Sequence, residues 1–289
     1  MKHKSRDPDM GSIEVSIIIP YYNEAALLER LLRTIPNIPE VEVIVIDDHS
    51  TMNLSDYSAC SDRFKDRNIY FLKNDAAKKG AGTARNKGMK YATGKWLLFA
   101  DTDDRFLPDM WDHISAVINN EADVIFFSPT GIGEFGKPTR RHKAYAELVH
   151  SFISEHTAKE ELRIRACFFS PCSKMVKRAF VETKNIMFDE ILHGEDVMFS
   201  VRVGMEANTI EAKGQVIYEI LDRSQSMTKK SDNASKMMRK KCSCRWLGYI
   251  HRNTTREERK YLGISFKSDI HKMINELQVR FYERKHGVL

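Results

Sequence analysis

Short apolar runs that end in acids or amides, spaced by helical stretches, constrain this chain more than any other feature of its 289 residues. Residues 15–19 (Val-Ser-Ile-Ile-Ile) form a β-branched run stopped by Pro20, the pattern of a buried strand. Residues 42–46, 69–72, 95–100 and 123–127 repeat the pattern. Between them lie helical stretches. Residues 24–34 place Leu27, Leu28, Leu31 and Leu32 on one face, 80–92 stop at Gly94, and Leu107-Pro108-Asp109 opens a helix carrying Met110, Ile114 and Val117. Strands that are apolar throughout and separated by helices predict an α/β fold: a Rossmann-like, mainly parallel central sheet with helices on both faces.

Beyond Phe127 the pattern changes. Residues 129–143 read as loop, with Gly131, Gly133, Gly136 and Pro138. Helices are expected over 144–155, 158–165 and 197–205, a mixed stretch over 172–188, and a strand over 216–221. From Ala234 onward the chain reads as helical and basic. Charge divides the same way. From Lys229 to the end there are 16 Lys and Arg against 6 Asp and Glu, so a formal charge of +6 leaves the first 228 residues net acidic. A basic tail on an acidic body points to an anionic partner for the tail, such as a membrane surface or a polyanion.

In open parallel sheets ligands bind beyond the carboxyl ends of the strands. Those ends carry Asn23 and Glu24, Asp47 and Asp48, Asn74 and Asp75, and Asp101, Asp103 and Asp104. One such residue is an ordinary turn former or helix cap; four strands delivering acid or amide to one edge make a site. Three carboxylates within 101–104 repel one another unless a cation holds them. Oxygen-only ligation suits Mg2+ or Mn2+, which complete their shell with diphosphate oxygens and neutralise charge on a departing diphosphate.

These segments resemble the inverting glycosyltransferases of family 2, which have the GT-A fold. The resemblance rests on 15–24 (VSIIIPYYNE), 43–50 (VIVIDDHS), 82–104 (GTARNKGMKYATGKWLLFADTDD) and Gly194-Glu195-Asp196, in that order. Residues 1–12, polar and without the apolar stretch of a secretory signal, read as a flexible leader, and the resemblance implies a catalytic domain over 13–228. That domain would have a nucleotide-sugar half (13–127) and an acceptor half (128–228), with a helical basic extension over 229–289. It further implies that Pro20, Tyr21 and Glu24 border the base and ribose, and that Asp48 contacts the uracil or ribose. Lys79, Arg85 or both would lie near the donor, with Arg85 equally readable as an ordinary salt-bridge partner, and Asp101 and Asp103 would frame the sugar nucleotide. Asp103 is the first metal ligand expected and Asp104 the second. Asp196, beside Glu195, would be the general base of a single inverting displacement. Arg223 and Ser226 would close over the diphosphate. The donor implied is a nucleotide diphosphate sugar, UDP-linked by family habit; the acceptor is a glycan or lipid-linked hydroxyl of a cell-surface polysaccharide.

Rival readings fit less well. A nucleotidyltransferase needs a Gly-rich basic loop after the first strand, where this chain has Pro20-Tyr21-Tyr22-Asn23-Glu24. Gly80-Ala81-Gly82 follows the third strand, not the first as a dinucleotide fingerprint would. A non-catalytic nucleotide-sugar binder has no use for Asp103 together with Glu195 and Asp196. The Gln-x-x-Arg-Trp motif of processive synthases is absent. Five cysteines without framework spacing imply a reducing, cytoplasmic setting. In the tail, Phe266, Ile270, Met273, Ile274, Leu277 and Phe281 fall at helical spacing among lysines and arginines. This face either packs on the catalytic domain or docks on an anionic membrane leaflet. Nucleic acid is not expected, since the aromatic residues form no stacking platform.

Overall fold

The computed structural model describes residues 12–223 and 232–285. The expectation for Ser226 lies outside the described residues, as do those for the Phe266 and Ile270 side chains and nearly all of the leader. The first half runs β1 (Val15–Tyr21), α1 (Ala25–Thr34), β2 (Val41–Asp47), α2 (Leu54–Arg63), β3 (Ile69–Lys73), α3 (Ala81–Tyr91) and β4 (Trp96–Phe99). Then come β5 (Arg105–Phe106), α4 (Met110–Ser115), β6 (Val124–Phe127), β7 (Thr130–Gly133), α5 (Lys143–Glu155) and α6 (Ala158–Cys167). The second half continues with β8 (Lys174–Lys177), α7 (Arg178–Thr183), α8 (Glu195–Glu206), β9 (Ile210–Lys213) and β10 (Tyr218–Asp222). Three helices follow, α9 (Asn233–Asn253), α10 (Arg256–Tyr261) and α11 (Phe266–Lys285).

Seven strands form the central sheet in the order β3-β2-β1-β4-β8-β6-β9. β1 pairs in parallel with both β2 and β4, while β8 runs antiparallel between β4 and β6. The chain therefore reverses its direction of travel at β1, and the crevice between the carboxyl ends of β1 and β4 is the topological switch point where ligands bind in such sheets. β1 shows why the sheet holds. Ile17, Ile19 and Tyr21 face Leu28, Leu31 and Leu32 of α1, whereas Ile18 faces Ala84 and Met89 of α3 and lies in one cluster with Phe199 and Val203 of α8. The period of two supplies both cores, each buried aliphatic side chain contributing about 1.5–3 kcal/mol.

Several elements depart from the sequence expectation. The stretch 129–143 is not all loop: β7 pairs in parallel with β10, and β10 pairs antiparallel with β5, in a second sheet of order β5-β10-β7. Thr-Gly-Ile-Gly has little strand propensity of its own, and its partner 89 residues later makes it a strand. Helix α2 buries only Cys60, so it shows no apolar stripe to read. The basic tail is partly integrated: Leu247 and Ile250 of α9 pack against Ala166 of α6 and Val201 of α8, and Trp246 Nε1 donates to the Ala166 carbonyl at 3.0 Å.

Candidate active site

The strand ends meet along one edge of the sheet, and each loop is tied to its neighbour. Asn23 adopts a left-handed conformation (φ 60°), which asparagine tolerates better than most residues. Its Oδ1 accepts from the backbone N–H groups of Thr51 (2.8 Å) and Met52 (2.9 Å), clamping the β1 loop to the β2 loop. Asp47 accepts from Ser50 N at 3.0 Å. Asp48 is buried, with Oδ1 accepting from Asn74 Nδ2 (2.7 Å) and Oδ2 from Gly80 N (2.8 Å).

Two expectations change here. Asp48 does not face the crevice: both its oxygens are taken by the β3 loop, so it shapes the rim. Tyr21 is also turned away, 1% exposed and stacked on Tyr57 with ring centroids 4.5 Å apart. Strand alternation puts Tyr21 in the core with Ile17 and Ile19, and the next residue, Tyr22, at the surface, 44% exposed. Lys79 sits over the Tyr22 ring with Nζ 3.4 Å from the centroid, and its hydrogen bond lowers the Tyr22 pKa. Pro20 contributes its carbonyl, which accepts from Thr102 Oγ1 at 2.7 Å and joins β1 to the acidic loop.

That loop, 101–104, is fixed on several sides. Arg30 of α1 donates to the Asp103 carbonyl (2.6 Å). The Tyr218 hydroxyl accepts from Asp101 N (2.8 Å) and donates to Asp104 Oδ2 (2.9 Å), while Asp104 Oδ1 accepts from Leu221 N (2.8 Å). Asp104, expected as second metal ligand, thus spends both oxygens on β10 and is 4% exposed. Burial, with Asp101 and Asp103 adding, raises its pKa well above the carboxylate range. Its task is to anchor the loop. Asp101 gives one oxygen to Arg85, and burial followed by the charge of Asp101 raises the pKa of Asp103.

The donor-side acids and the acceptor-side acids meet through one side chain. Arg85, 3% exposed, donates from one guanidinium nitrogen to Asp101 (2.5 Å) and from another to Glu195 (3.0 Å). Burial opposes its charge, but Asp101 and Glu195 more than offset that, and its pKa is raised. The neighbouring residues make this reach feasible. A Cβ on Gly82 would collide with the Asp189 carbonyl and crowd Glu195, so only glycine lets α3 start this close to the loop before α8. Asn86 grips the same loop, accepting from Phe188 N (2.8 Å) and donating to Phe188 O (3.0 Å). Gly-Thr-Ala-Arg-Asn is therefore one device that docks α8 against the acidic loop.

Glu195 and Asp196 open α8, where helix N-terminal N–H groups favour carboxylates. Burial, then Glu195 and Asp101, push the Asp196 carboxyl up to about 7 against the lowering effect of Arg85. A carboxyl raised that far is able to take up a proton near neutral pH. Across the crevice mouth Arg223 pairs with Glu24 (3.0 Å), and Arg223 and Arg141 are both close enough to Asp103 to lower its pKa.

Among the described residues no group of three or more Asp, Glu, His or Cys side chains converges to hold a metal ion. The donor set available is Asp103 with Asp101 beside it. Carboxylate oxygens of a desolvated Asp103 and of an Asp101 that keeps one oxygen off Arg85 fit Mn2+ or Mg2+, which take few protein carboxylates and leave positions for phosphate oxygens.

A sequence profile for glycosyl transferase family 2 matches residues 16–183. The chain belongs to that family. EpsH of Bacillus subtilis is 25% identical over 70% of this chain and 58% of its own length. The Campylobacter jejuni GalNAc(5)-diNAcBac-PP-undecaprenol β-1,3-glucosyltransferase is 25% identical over 82% of this chain and 72% of its own. TarS of Staphylococcus aureus, a poly(ribitol-phosphate) β-N-acetylglucosaminyltransferase, is 25% identical over 71% of this chain but only 35% of its own length. The crystal structure of its residues 1–349 with UDP-GlcNAc superposes with a TM-score of 0.68, covering 86% of this chain and 70% of that one at 22% identity. The GT-A fold expected from the sequence is the fold adopted.

The family profile ends before Glu195 and Asp196, and Arg85 is what links them to it. The sequence alone does not mark Tyr22, Arg141, Tyr218 or Lys174. Tyr22 was legible from strand alternation. Tyr218 becomes significant only through the β10 register. Lys174 is buried on β8 between the Phe126 and Phe168 rings, donates to Phe168 O (3.0 Å), and is lowered by burial to about 7. A lysine inside an apolar strand carries no sequence signal for that position.

A raised carboxyl pKa has a stability consequence. Between the unfolded value near 4 and the folded value of about 7, the folded chain binds the extra proton, so stability falls as pH rises through that window. Asp196→Asn removes the cost. Its thermal midpoint is expected to exceed wild type by a few degrees at pH 8 and to match it near pH 4. Equal midpoints at both pH values would show that Asp196 has no raised pKa.

Proposed function

We propose that this protein transfers a sugar from a nucleotide diphosphate sugar, a UDP-sugar first among them, to a hydroxyl of a glycan or lipid-linked acceptor in cell-surface polysaccharide synthesis. The observation that carries the reading is the Asp101–Arg85–Glu195 bridge, which sets the acids of a sugar-nucleotide crevice directly beside the carboxylate suited to deprotonate an acceptor. The family supports the reaction class. TarS binding UDP-GlcNAc, and TarS and the Campylobacter enzyme being named for glycosyl transfer to phosphate-bearing acceptors, support the donor and acceptor classes.

The chain's own residues supply the following chemistry. Tyr22, Lys79 and Glu24 border the nucleotide, with Asp48 holding the rim behind them. Asp103, with Asp101, would hold Mn2+ or Mg2+, whose contribution when bound is to neutralise negative charge on the departing diphosphate. Arg223 and Arg141 face the same charge, and a guanidinium fork suits phosphate oxygens; Arg223 exchanges Glu24 for the diphosphate. Asp196 takes the proton of the acceptor hydroxyl as its oxygen bonds to the anomeric carbon. The bond to the diphosphate breaks with its electron pair leaving on the phosphate oxygen, and the anomeric configuration inverts. Glu195, held by Arg85, keeps Asp196 in place.

We propose peripheral contact with a membrane on the strength of a separate observation. No described helix is long and apolar enough to cross a membrane. On α11, however, Met273, Ile274, Leu277 and Phe281 are 57%, 44%, 61% and 72% exposed, and Lys267, Arg284 and Lys285 lie on the same helix. An amphipathic basic helix with its apolar stripe uncovered suits the anionic leaflet.

Transfer should stop in EDTA and return with Mn2+ or Mg2+, and Asp103→Ala should abolish it. Asp196→Asn should keep UDP affinity and lose roughly 10²–10⁴-fold in kcat. Wild-type turnover in either variant, or full activity in chelator, would refute the assignment concerned. Sedimentation with phosphatidylglycerol vesicles at low salt should pull down wild type but not Leu277→Glu/Phe281→Glu. Equal sedimentation of the two would remove α11 from the membrane contact.

A further inference from the structure

The loop that leads into α8 is held by α3 on one side and by α9 on another. Ser235, Cys242, Arg245 and Tyr249 recur along α9 at spacings that bring them to one face of the helix. Each meets a group on that loop or on α8. Ser235 Oγ donates to Asp232 (2.7 Å) and is hydrogen-bonded to His193 Nε2 (3.2 Å). The Cys242 thiol lies 3.6 Å from the carbonyl oxygens of both His193 and Gly194. Arg245 forks onto the two oxygens of Asp189, one of them at 3.0 Å. The Tyr249 hydroxyl donates to Glu206, the last residue of α8, at 3.2 Å.

From these contacts the acids of the crevice are one short step away. Asp189 N–H donates to the Glu195 carbonyl (3.1 Å), and the Glu195 side chain in turn meets Arg85. Gly194 caps α8 in a left-handed conformation (φ 74°), and a Cβ there would come within 2.6 Å of the Cys242 sulfur. Only glycine allows both the turn and the close approach of α9. Asp189 stands where three helices meet. Its carboxylate goes to α9, its N–H to α8, and its carbonyl leaves no room for a side chain at position 82 of α3. As an ion pair alone Arg245–Asp189 contributes little, since the Arg245 side chain is 44% exposed and solvent screens it. Its value is geometric: a planar fork fixes distance and angle at once, and the residue it fixes sets where α8 begins.

We propose that Arg245 is a positioning residue for the transfer reaction: through Asp189 it aims the first turn of α8, and with it Asp196, at the crevice. Resting on the transferase reading above, this role makes α9 part of the catalytic unit, although the family profile stops at residue 183.

Hydrolysis of UDP-glucose and UDP-N-acetylglucosamine with Mn2+, water standing in for the acceptor, gives kcat and donor KM without an identified acceptor. Wild type is compared with Arg245→Gln, Arg245→Asp and the charge exchange Arg245→Asp/Asp189→Arg. Rates are counted per UDP-binding site, so that a loss of folded protein does not register. Arg245→Gln should lose about 10- to 100-fold in kcat, the scale on which a small misplacement of a catalytic group acts, with donor KM and UDP affinity at wild-type values. The charge exchange should recover most of the kcat lost in Arg245→Asp. Wild-type kcat in Arg245→Gln, or no recovery in the exchange, would overturn the proposal and leave the transferase reading standing. A wild type that binds UDP yet cleaves neither sugar nucleotide would refute the transferase reading, and the proposal with it.

Discussion

The crevice depends on one buried guanidinium. Arg85 sits on α3, packed against the central sheet, and reaches Asp101 at the end of β4 and Glu195 at the start of α8. Neither acid is near the other in sequence, and without a shared cation the two halves of the crevice would repel across a partly desolvated space. Arginine suits the position and lysine does not: a planar fork can meet two carboxylates at once, and its charge survives burial. Removing Asp101 or Glu195 leaves the buried Arg85 charge short of a partner and destabilises the fold. The pair is thus a structural constraint as well as an electrostatic one.

Around that bridge the acids divide their work by burial. Asp48 and Asp104 are consumed by hydrogen bonds to Asn74, Gly80, Tyr218 and Leu221, and they give the loops their shape. Asp101 and Glu195 instead share Arg85, which sets Asp103 and Asp196, their near neighbours in sequence, on the two sides of the bridge. The second sheet belongs to this arrangement, since β10 supplies both groups that fix Asp104. The basic C-terminal helices belong to it too: Arg245 and Cys242 of α9 contact Asp189, His193 and Gly194, so the loop before α8 is buttressed from both sides.

The sequence made the central sheet legible because its strands are buried on both faces and so read as continuous apolar runs. It made the rim legible through the strand-end rule, which pointed to Asp101, Asp103 and their neighbours, and the order of motifs pointed to Glu195 and Asp196. It could not tell which member of a pair turns inward. Tyr21 and Tyr22 differ in exposure by strand phase, and Asp103 and Asp104 by partners on β10 up to 117 residues away, whereas Asp47 and Asp48 are both buried and differ only in their hydrogen bonds, that of Asp48 reaching 26 residues to Asn74. β7 stayed hidden for the same reason, since Thr-Gly-Ile-Gly is a strand only beside β10. In the sequence Arg85 reads as either a residue near the donor or a salt-bridge partner; one of its partners, Glu195, is 110 positions distant.

The most direct measurement of the central claim is the pH dependence of kcat/KM when the bridge is altered. Arg85 lowers the Asp196 pKa against the burial and like charges that raise it to about 7. In Arg85→Lys, which keeps the charge, the rising acid limb should stay near 7. In Arg85→Gln it should move to higher pH with a lower plateau. An unchanged limb and plateau in Arg85→Gln would contradict the account, because the donor acids and the base would then not be coupled through that side chain.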